Sequence, residues 1–207
     1  VWLLMKIHSL FPTPVYETNI DRAFTKEELQ LVKDSEIECI PNMGNTSSED
    51  NYILEQEGFK DLKKELEIIL KDYMDKVVSP NQKTDCYITQ SWLNYTETNG
   101  YHHIHNHPNS YLSGVLYFNG DKEYDKIHFS KNDYNQIQIG TDKYNRFNSS
   151  SWFVPVQTGQ VVIFPSHLHH MVSPKQGDNL RISLAFNSFI KGTLGTKNEL
   201  TELRINV

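Results

Sequence analysis

Residues 101–119 read YHHIHNHPNSYLSGVLYFN, and two features of this stretch decide how the chain folds. The first feature is a group of closely spaced histidines that ends at Pro108. The second is an apolar and aromatic run from Tyr111 to Asn119, which stops at the turn residues Gly120 and Asp121. We therefore predict an extended segment that carries histidines and leads directly into a β-strand.

Several other segments downstream have the same composition. They are short, rich in β-branched and aromatic residues, and separated by turn residues such as Thr158-Gly159. The predicted strands are 87–95, 111–119, 126–130, 152–156, 160–164 and 180–189. Short strands at this spacing favour a β-sandwich or a jelly roll. The polar stretch from Tyr124 to Ser151 predicts a long surface insertion with one or two weak strands.

The N-terminal part of the chain has helical patterns instead. Thr25 and Glu28 form a capping-box sequence, which predicts a helix to about Ile37. Residues 41–51 are polar and predict a loop. From Phe59 to Val77 apolar residues recur at helical spacing, which predicts an amphipathic helix that ends before Pro80 and packs on the core.

Composition limits the classes of protein to which the chain can belong. With 207 residues, 38% of them hydrophobic, one globular domain is expected. The net charge of −6 argues against a nucleic-acid partner. Cys39 and Cys86 are too few for a disulfide framework, so we expect free thiols in a reducing, cytoplasmic location. No segment is long and apolar enough to cross a membrane, and Val1–Leu4 are interpreted as an extension ahead of a natural start at Met5. A homodimer is left open.

A second group of histidines lies about sixty residues after the first, within 166–171, which read SHLHHM. Alternate side chains of an extended segment share a face, so His103, His105 and His107 are expected on one side and His102 on the other. We expect two of these three histidines to bind one metal ion together with a histidine of the second group. Such a site leaves coordination positions open, which is typical of catalytic metals. Zinc, or surface histidines without any metal, are the alternatives at this stage.

Particular segments of the chain resemble a known family. They are 10–16 (LFPTPVY), 91–94 (SWLN), 105–117 (HNHPNSYLSGVLY), 163–166 (IFPS) and 181–187 (RISLAFN). Together they resemble iron(II)/2-oxoglutarate-dependent oxygenases of bacteria and marine phages and, more distantly, the prolyl hydroxylase superfamily. The resemblance implies a mainly β fold with N-terminal helices, a double-stranded β-helix of the jelly-roll or cupin-like type. The same resemblance predicts a single domain of residues 1–207, with an N-terminal extended segment and supporting helices (1–80), a jelly-roll core (84–190) and a C-terminal tail (191–207).

The resemblance also implies the metal ligands. The superfamily pattern is His-x-Asp/Glu, a remote His, and a basic residue about ten positions later. His105, His107 and His170 occupy the first three of these positions, and they are the expected iron(II) ligands and catalytic centre. Three facial ligands leave the remaining positions for 2-oxoglutarate and oxygen.

The far carboxylate of 2-oxoglutarate requires a fixed cation, and the resemblance assigns this role to Arg181, whose planar guanidinium matches a carboxylate. Ser183 shares the face of Arg181, and Tyr117 matches a tyrosine that lies near the same carboxylate in related hydroxylases. Asn94 is expected to line the pocket, together with Tyr95. Trp92 and Trp152 are expected in the core, although either residue would also suit the substrate side.

His107 departs from the pattern, because it stands where the superfamily usually has a carboxylate. Two alternatives therefore stay open. One is the equally spaced pair His103 and His105. The other is a carboxylate from elsewhere, the candidates being Asp121, Asp125 and Glu97. A halide in place of the carboxylate would need a small residue at 107, so halogenation is not expected.

The sequence thus predicts an iron(II)- and 2-oxoglutarate-dependent dioxygenase that couples decarboxylation of 2-oxoglutarate by O2 to C–H oxidation, in the manner of a hydroxylase. Its prime substrate, a protein side chain or a small molecule, is not identified. One alternative is a three-histidine enzyme without 2-oxoglutarate, either a cupin-like dioxygenase or a zinc hydrolase. The other is a non-catalytic jelly-roll binding protein.

Overall fold

A computed structural model describes residues 6–131, 137 and 139–205 of the chain. The proposed extension at Val1–Leu4 lies outside these residues. The described residues contain two α-helices, α1 (Lys26–Ile37) and α2 (Lys60–Tyr73), and a π-helical turn (Met74–Val78) continues α2. Both predicted helices are confirmed. Two short 3-10 helices, Ile53–Glu55 and Glu57–Phe59, precede α2. Thr25 caps α1 as expected, since its side chain accepts from the backbone N–H of Glu28 while the Glu28 carboxylate accepts from the N–H of Thr25.

Two antiparallel sheets make up the rest of the fold. The larger sheet contains β1 (Tyr16–Asn19), β2 (Ile40–Asn42), β3 (Asn45–Ser47), β4 (Thr84–Thr96), β6 (Leu112–Asn119), β9 (Gln160–Pro165), β11 (Arg181–Leu194) and β12 (Leu203–Ile205). The smaller sheet contains β5 (His102–His105), β7 (Lys126–Ser130), β8 (Ser151–Pro155) and β10 (His169–Val172). The strand order is β1-β9-β6-β11-β4-β3-β2 in the larger sheet, with β12 beside β11, and β5-β10-β7-β8 in the smaller sheet. This mainly β, jelly-roll architecture confirms the predicted fold class.

The central strands of the larger sheet are buried on both faces. In β9, Val161 and Ile163 pack in the cluster that contains α1 and α2 residues, whereas Val162 and Phe164 pack with residues of the smaller sheet. Alternation along a strand produces this division. The outward face of the large sheet therefore rests on helices, and its inward face is left to form the interior between the two sheets.

One prediction about a chain segment is wrong. Residues 41–51 are not entirely a loop, because β2 and β3 form a hairpin whose turn contains Gly44 at φ +84°. Glycine adopts this conformation without the strain that a Cβ would cause. At the C-terminal end, β11 continues to Leu194 and pairs with β12, so part of the predicted tail (191–207) lies in the large sheet. No helix in the described parts of the chain is long and apolar enough to span a membrane.

Candidate metal centre

Three histidines from different elements converge between the sheets. His105 lies on β5, His170 lies directly opposite it on β10, and His107 lies in the loop that follows β5. The backbone N–H of His107 donates to the carbonyl of Ser166 at 2.9 Å, which ties this loop to the second histidine segment. One ring nitrogen from each histidine lies within 4.8 Å of the other two.

Backbone carbonyls orient two of the three rings. His105 Nδ1 lies 2.8 Å from the carbonyl oxygen of His103, and His170 Nδ1 lies 3.0 Å from that of Leu168. A carbonyl only accepts, so we assign the proton to Nδ1 in both rings, which leaves the Nε2 lone pairs for a metal. His107 Nε2 and His170 Nε2 are 3.2 Å apart. Two nitrogens that share one divalent ion at about 2.1 Å lie roughly 3.0–3.4 Å apart, so the spacing fits a metal.

Burial keeps these imidazoles neutral. It lowers the pKa of His170 to about 3 and that of His107 to about 4, and it also lowers the pKa of His105. Neighbouring histidines lower these pKa values further, because protonation of one ring disfavours protonation of the next. Neutral imidazole is the form that binds a metal, so the three rings are already in the ligand state at neutral pH.

The predicted alternation of the first histidine segment is wrong. His102, which was expected on the opposite face, lines the same cavity as His105 and stacks on its ring at a centroid distance of 4.4 Å, whereas His103 is exposed. The reason is an irregularity in the pairing with β10, where His105 lies opposite His170 but His102 lies opposite Val172. The extra residue on β5 changes which side chains point inward.

The other candidate ligands do not join this cluster. Glu97 and Asp121 are exposed, as is His167 in the second segment. Among the residues that the structure describes, the cluster of His105, His107 and His170 is the single group of three or more histidine, cysteine or acidic side chains spaced for a metal. The alternative pair of His103 and His105 is not brought together with a third ligand.

A buried arginine lies on the inward face of β11. Arg181 is 3% exposed, and its Nη2 donates to Thr96 Oγ1 at 3.4 Å. Its Nε and Nη1 have no hydrogen-bond partner in the described part of the chain. Burial lowers the pKa of Arg181, whereas interactions with Tyr117 and Asp125 raise it. A buried guanidinium with two unpaired donors is suited to an anion that supplies the missing acceptors.

The remaining residues of the predicted site surround Arg181. Ser183 lies opposite Asn94 on one side and Tyr117 on the other, because β11 pairs with both β4 and β6. Asn94 Oδ1 is buried without a partner in the described chain, and burial raises the pKa of Tyr117 to about 12, so its hydroxyl stays protonated. Apart from Tyr95, the predicted site residues line one cavity. Tyr95 instead lies in the core beside the helices, where its hydroxyl donates to the carbonyl of Val32. The cavity measures about 40 Å³, so binding of a dicarboxylate requires side chains to move.

Sequence reasoning missed or misplaced three other residues. Trp92 is not simply a core residue, since its ring lines the cavity and lies 5.7 Å from the ring of His107. Trp92 is two residues before Asn94 on the same strand, and this spacing was the sequence signal that both side chains face the cavity. Asp125 is buried near Arg181 instead of near the histidines, and no sequence signal indicates this. Trp152 was expected in the core, but it is 53% exposed because β8 is an edge strand.

Solved structures share this fold at low sequence identity. An oxidoreductase of the 2OG-Fe(II) oxygenase family from Burkholderia pseudomallei matches with a TM-score of 0.54 at 12% identity, over 84% of this chain and 83% of that one. A Pseudomonas putida prolyl-4-hydroxylase matches with a TM-score of 0.51 at 15% identity, over 84% and 92%. HygX from Streptomyces hygroscopicus, solved with iron bound, matches with a TM-score of 0.56 at 12% identity, over 85% and 82%.

Comparison of the sequence with curated proteins finds no match. A family model described as "Putative 2OG-Fe(II) oxygenase" matches residues 90–187, which run from β4 to β11 and include all three converging histidines and Arg181. This part of the chain, just under half of its length, thus matches the 2OG-Fe(II) oxygenase family, and the protein is an oxidoreductase that uses iron(II), 2-oxoglutarate and molecular oxygen.

Proposed function

We propose that this enzyme hydroxylates a C–H bond of its prime substrate, with His105, His107 and His170 as the iron ligands and Arg181 as the anchor of 2-oxoglutarate. One observation carries the proposal: three convergent imidazole nitrogens and a buried guanidinium with two unpaired donors line the same cavity. When bound, iron(II) and 2-oxoglutarate supply the oxidation of the C–H bond by O2, with release of succinate and carbon dioxide.

The metal ligands hold the ion without supplying any negative charge. His105 and His170 keep their Nε2 lone pairs directed at the ion because backbone carbonyls hold the opposite ring nitrogens. His107 completes the set from a loop, where the family pattern has a carboxylate. Three neutral ligands leave the charge of the ion uncompensated, and this favours an anionic co-substrate beside it.

Arg181 and its neighbours orient that co-substrate. The two unpaired N–H groups of Arg181 match the two oxygens of a carboxylate, and the protonated hydroxyl of Tyr117 adds a donor on the adjacent strand. Ser183 adds another donor from the strand of Arg181 itself. The side-chain amide of Asn94, whose buried oxygen lacks a partner in the described chain, faces the same cavity.

Around this site we propose a single catalytic domain, in which residues 1–80 support a jelly-roll core of 84–190 and residues 191–207 extend it. The contacts of α1 and α2 with the outward face of the large sheet support this division. A cytoplasmic location agrees with the two free cysteines. The prime substrate is a protein side chain or a small molecule.

Anaerobic titration with iron(II), with and without 2-oxoglutarate, tests the ligand set. The expected result is a weak visible charge-transfer band that requires both iron and 2-oxoglutarate, and that His170→Ala abolishes. His167→Ala is the matched control, since His167 is an exposed histidine of the same segment and the band should persist. The ligand assignment is wrong if no band forms and His170→Ala leaves the iron affinity unchanged. Iron binding that is indifferent to 2-oxoglutarate would instead favour a three-histidine enzyme of another type.

A further inference from the structure

A second, larger cavity opens beside the metal centre. It measures about 320 Å³ and is lined by His107 and Pro108 together with Asn42, Ser47, Asn51, Gln90, Trp92 and Asn187. His107 and Trp92 also line the inner cavity that contains Arg181. This outer cavity therefore shares with the inner cavity both Trp92 and His107, one of the proposed metal ligands.

Carboxamides dominate the outer cavity. Among the described residues that line it there is no Asp, Glu, Lys or Arg, whereas the inner cavity contains the buried cation Arg181. Removing a charged group from water is costly unless an opposite charge compensates for it. The side chains of the outer cavity offer no such compensation, and in the proposed function 2-oxoglutarate already supplies the negative charge beside the ion. The lining therefore favours an uncharged occupant.

Hydrogen bonds hold part of this lining in place. Ser113 Oγ donates to Asn187 Oδ1 at 2.9 Å, and Asn187 Nδ2 donates to Gln90 Oε1 at 3.3 Å. This chain fixes the orientation of both amides and leaves the NH2 group of Gln90 without a partner among the described residues. The side chains of Asn51 and Ser47 also make no hydrogen bond within that part of the protein. Pre-oriented groups of this kind lose little entropy when a ligand binds.

Trp92 provides an apolar wall among these polar groups. Its ring is half-buried and lies 5.7 Å from the ring of His107. A sugar ring has apolar C–H faces that pack on an aromatic ring, and hydroxyls that both donate and accept hydrogen bonds. Carboxamides also do both, so they match hydroxyls in either direction. An indole beside several carboxamides is therefore complementary to a polyhydroxylated ring.

A third cavity near the metal centre is a weaker candidate. It measures about 440 Å³ and also touches His107, but His107 is its one residue in common with the inner cavity. Tyr73, Tyr111 and Leu112 line it, and it lacks Trp92. The cavity that contains Trp92 shares more of its lining with the proposed metal centre.

We propose that the outer cavity binds the prime substrate and that this substrate is an uncharged glycoside. The proposal rests on the function proposed above, because it places the oxidised C–H bond beside the ion that His107 helps to hold. An uncharged ring packs on Trp92 while its hydroxyls bond to Gln90 and Asn51. Carboxylated, phosphorylated and cationic compounds are excluded by the same lining.

Saturation-transfer NMR on the anaerobic protein loaded with iron(II) and 2-oxoglutarate tests the proposal. The probes are the neutral methyl glycosides of glucose, galactose and mannose, maltose, cellobiose and lactose, with methyl glucuronide, methyl glucosaminide and an uncharged tripeptide as counterparts. At least one neutral glycoside should receive saturation, and the charged sugars and the peptide should not. The same glycoside should stimulate succinate formation in air.

Two isosteric variants locate the binding. Gln90→Glu places a carboxylate in the cavity and should weaken binding of the glycoside by about tenfold, through loss of a donor and burial of a charge. Gln30→Glu makes the same change on the exposed side of α1 and should leave glycoside binding and succinate formation unchanged.

Several results would overturn the proposal. They are binding of the charged sugars or of the peptide in preference to neutral glycosides, no binding by any glycoside, and equal effects of the two variants. The charge-transfer band measured on the same sample separates these failures from failure of the proposed function. If the band is present and no glycoside binds, the iron and 2-oxoglutarate sites stand while the substrate class is wrong.

Discussion

The two ends of the inner cavity differ in charge, but both lack a negatively charged partner. At one end, three neutral imidazoles would hold a divalent cation and contribute no negative charge to it. At the other end, Arg181 carries a buried positive charge, and two of its donors have no partner in the part of the chain that the structure describes. Each end is completed by an anion, and 2-oxoglutarate carries a carboxylate at each of its own ends. With the proposed ligand set, the co-substrate would supply the negative charge that a ligand carboxylate usually shares.

The two ends also differ in how they are supported. Arg181 lies on a strand of 14 residues that pairs with β4 and β6, whereas His105 and His170 lie on strands of 4 residues each, and His107 is in a loop. Extensive pairing keeps the arginine end rigid, because many backbone hydrogen bonds would have to break for it to move. The cavity between the ends is small, so the shorter elements are the ones that we expect to adjust when the co-substrate enters.

Arg181→Ala should produce the largest effect. Loss of a buried, charge-assisted carboxylate contact costs about 3 kcal/mol, so the 2-oxoglutarate concentration needed for half of the charge-transfer band should rise by about 100-fold. Iron affinity without 2-oxoglutarate should hardly change, because the histidines are intact. Arg181→Lys keeps the charge but loses the planar fork, so an intermediate requirement is expected. An unchanged requirement in Arg181→Ala would remove Arg181 from the co-substrate site.

His107→Asp tests the neutral end directly. A carboxylate at this position compensates part of the ion's charge, so the variant should bind iron(II) alone more tightly, by about tenfold, as judged by anaerobic competition with a chelator. The gain in iron affinity that 2-oxoglutarate brings should become smaller for the same reason. His167→Asp, the same change at an exposed histidine of the second segment, is the control and should alter neither quantity. A larger dependence on 2-oxoglutarate in His107→Asp would contradict the charge argument.

Asp125→Asn should have the smallest effect, and on stability. The carboxylate of Asp125 accepts from the N–H of Asp121 at 2.8 Å and from Asn179 at 3.0 Å, and it interacts electrostatically with Arg181. Its removal leaves the buried guanidinium less compensated, so the free energy of unfolding should fall by about 1–2 kcal/mol. Thermal melts with and without 2-oxoglutarate are the measurement. The ligand should stabilise the variant more than the wild type, and equal stabilisation would show that Asp125 does not act on Arg181.

Local sequence signals were sufficient for most of the secondary structure. The capping box at Thr25 and Glu28 marks the start of α1, and the 3.6-residue period marks α2, because both signals arise within one helical turn. The hairpin of β2 and β3 was missed, since its strands are polar and are stabilised by pairing with β4, which is remote in the sequence. Trp152 was misplaced for the corresponding reason: strand composition does not distinguish an edge strand from a central one.

The sequence by itself determined the kinds of residues available for the site: two groups of histidines, an arginine eleven positions after the second group, and strands on which they alternate. The tertiary structure alone decided which histidines converge, because an irregular register between β5 and β10 turns His102 inward and leaves His103 exposed. It also decided that Nε and Nη1 of Arg181 have no acceptor among the described residues and that uncharged amides line the outer cavity. These properties depend on contacts between strands far apart in the chain, and local periodicity carries no information about such contacts.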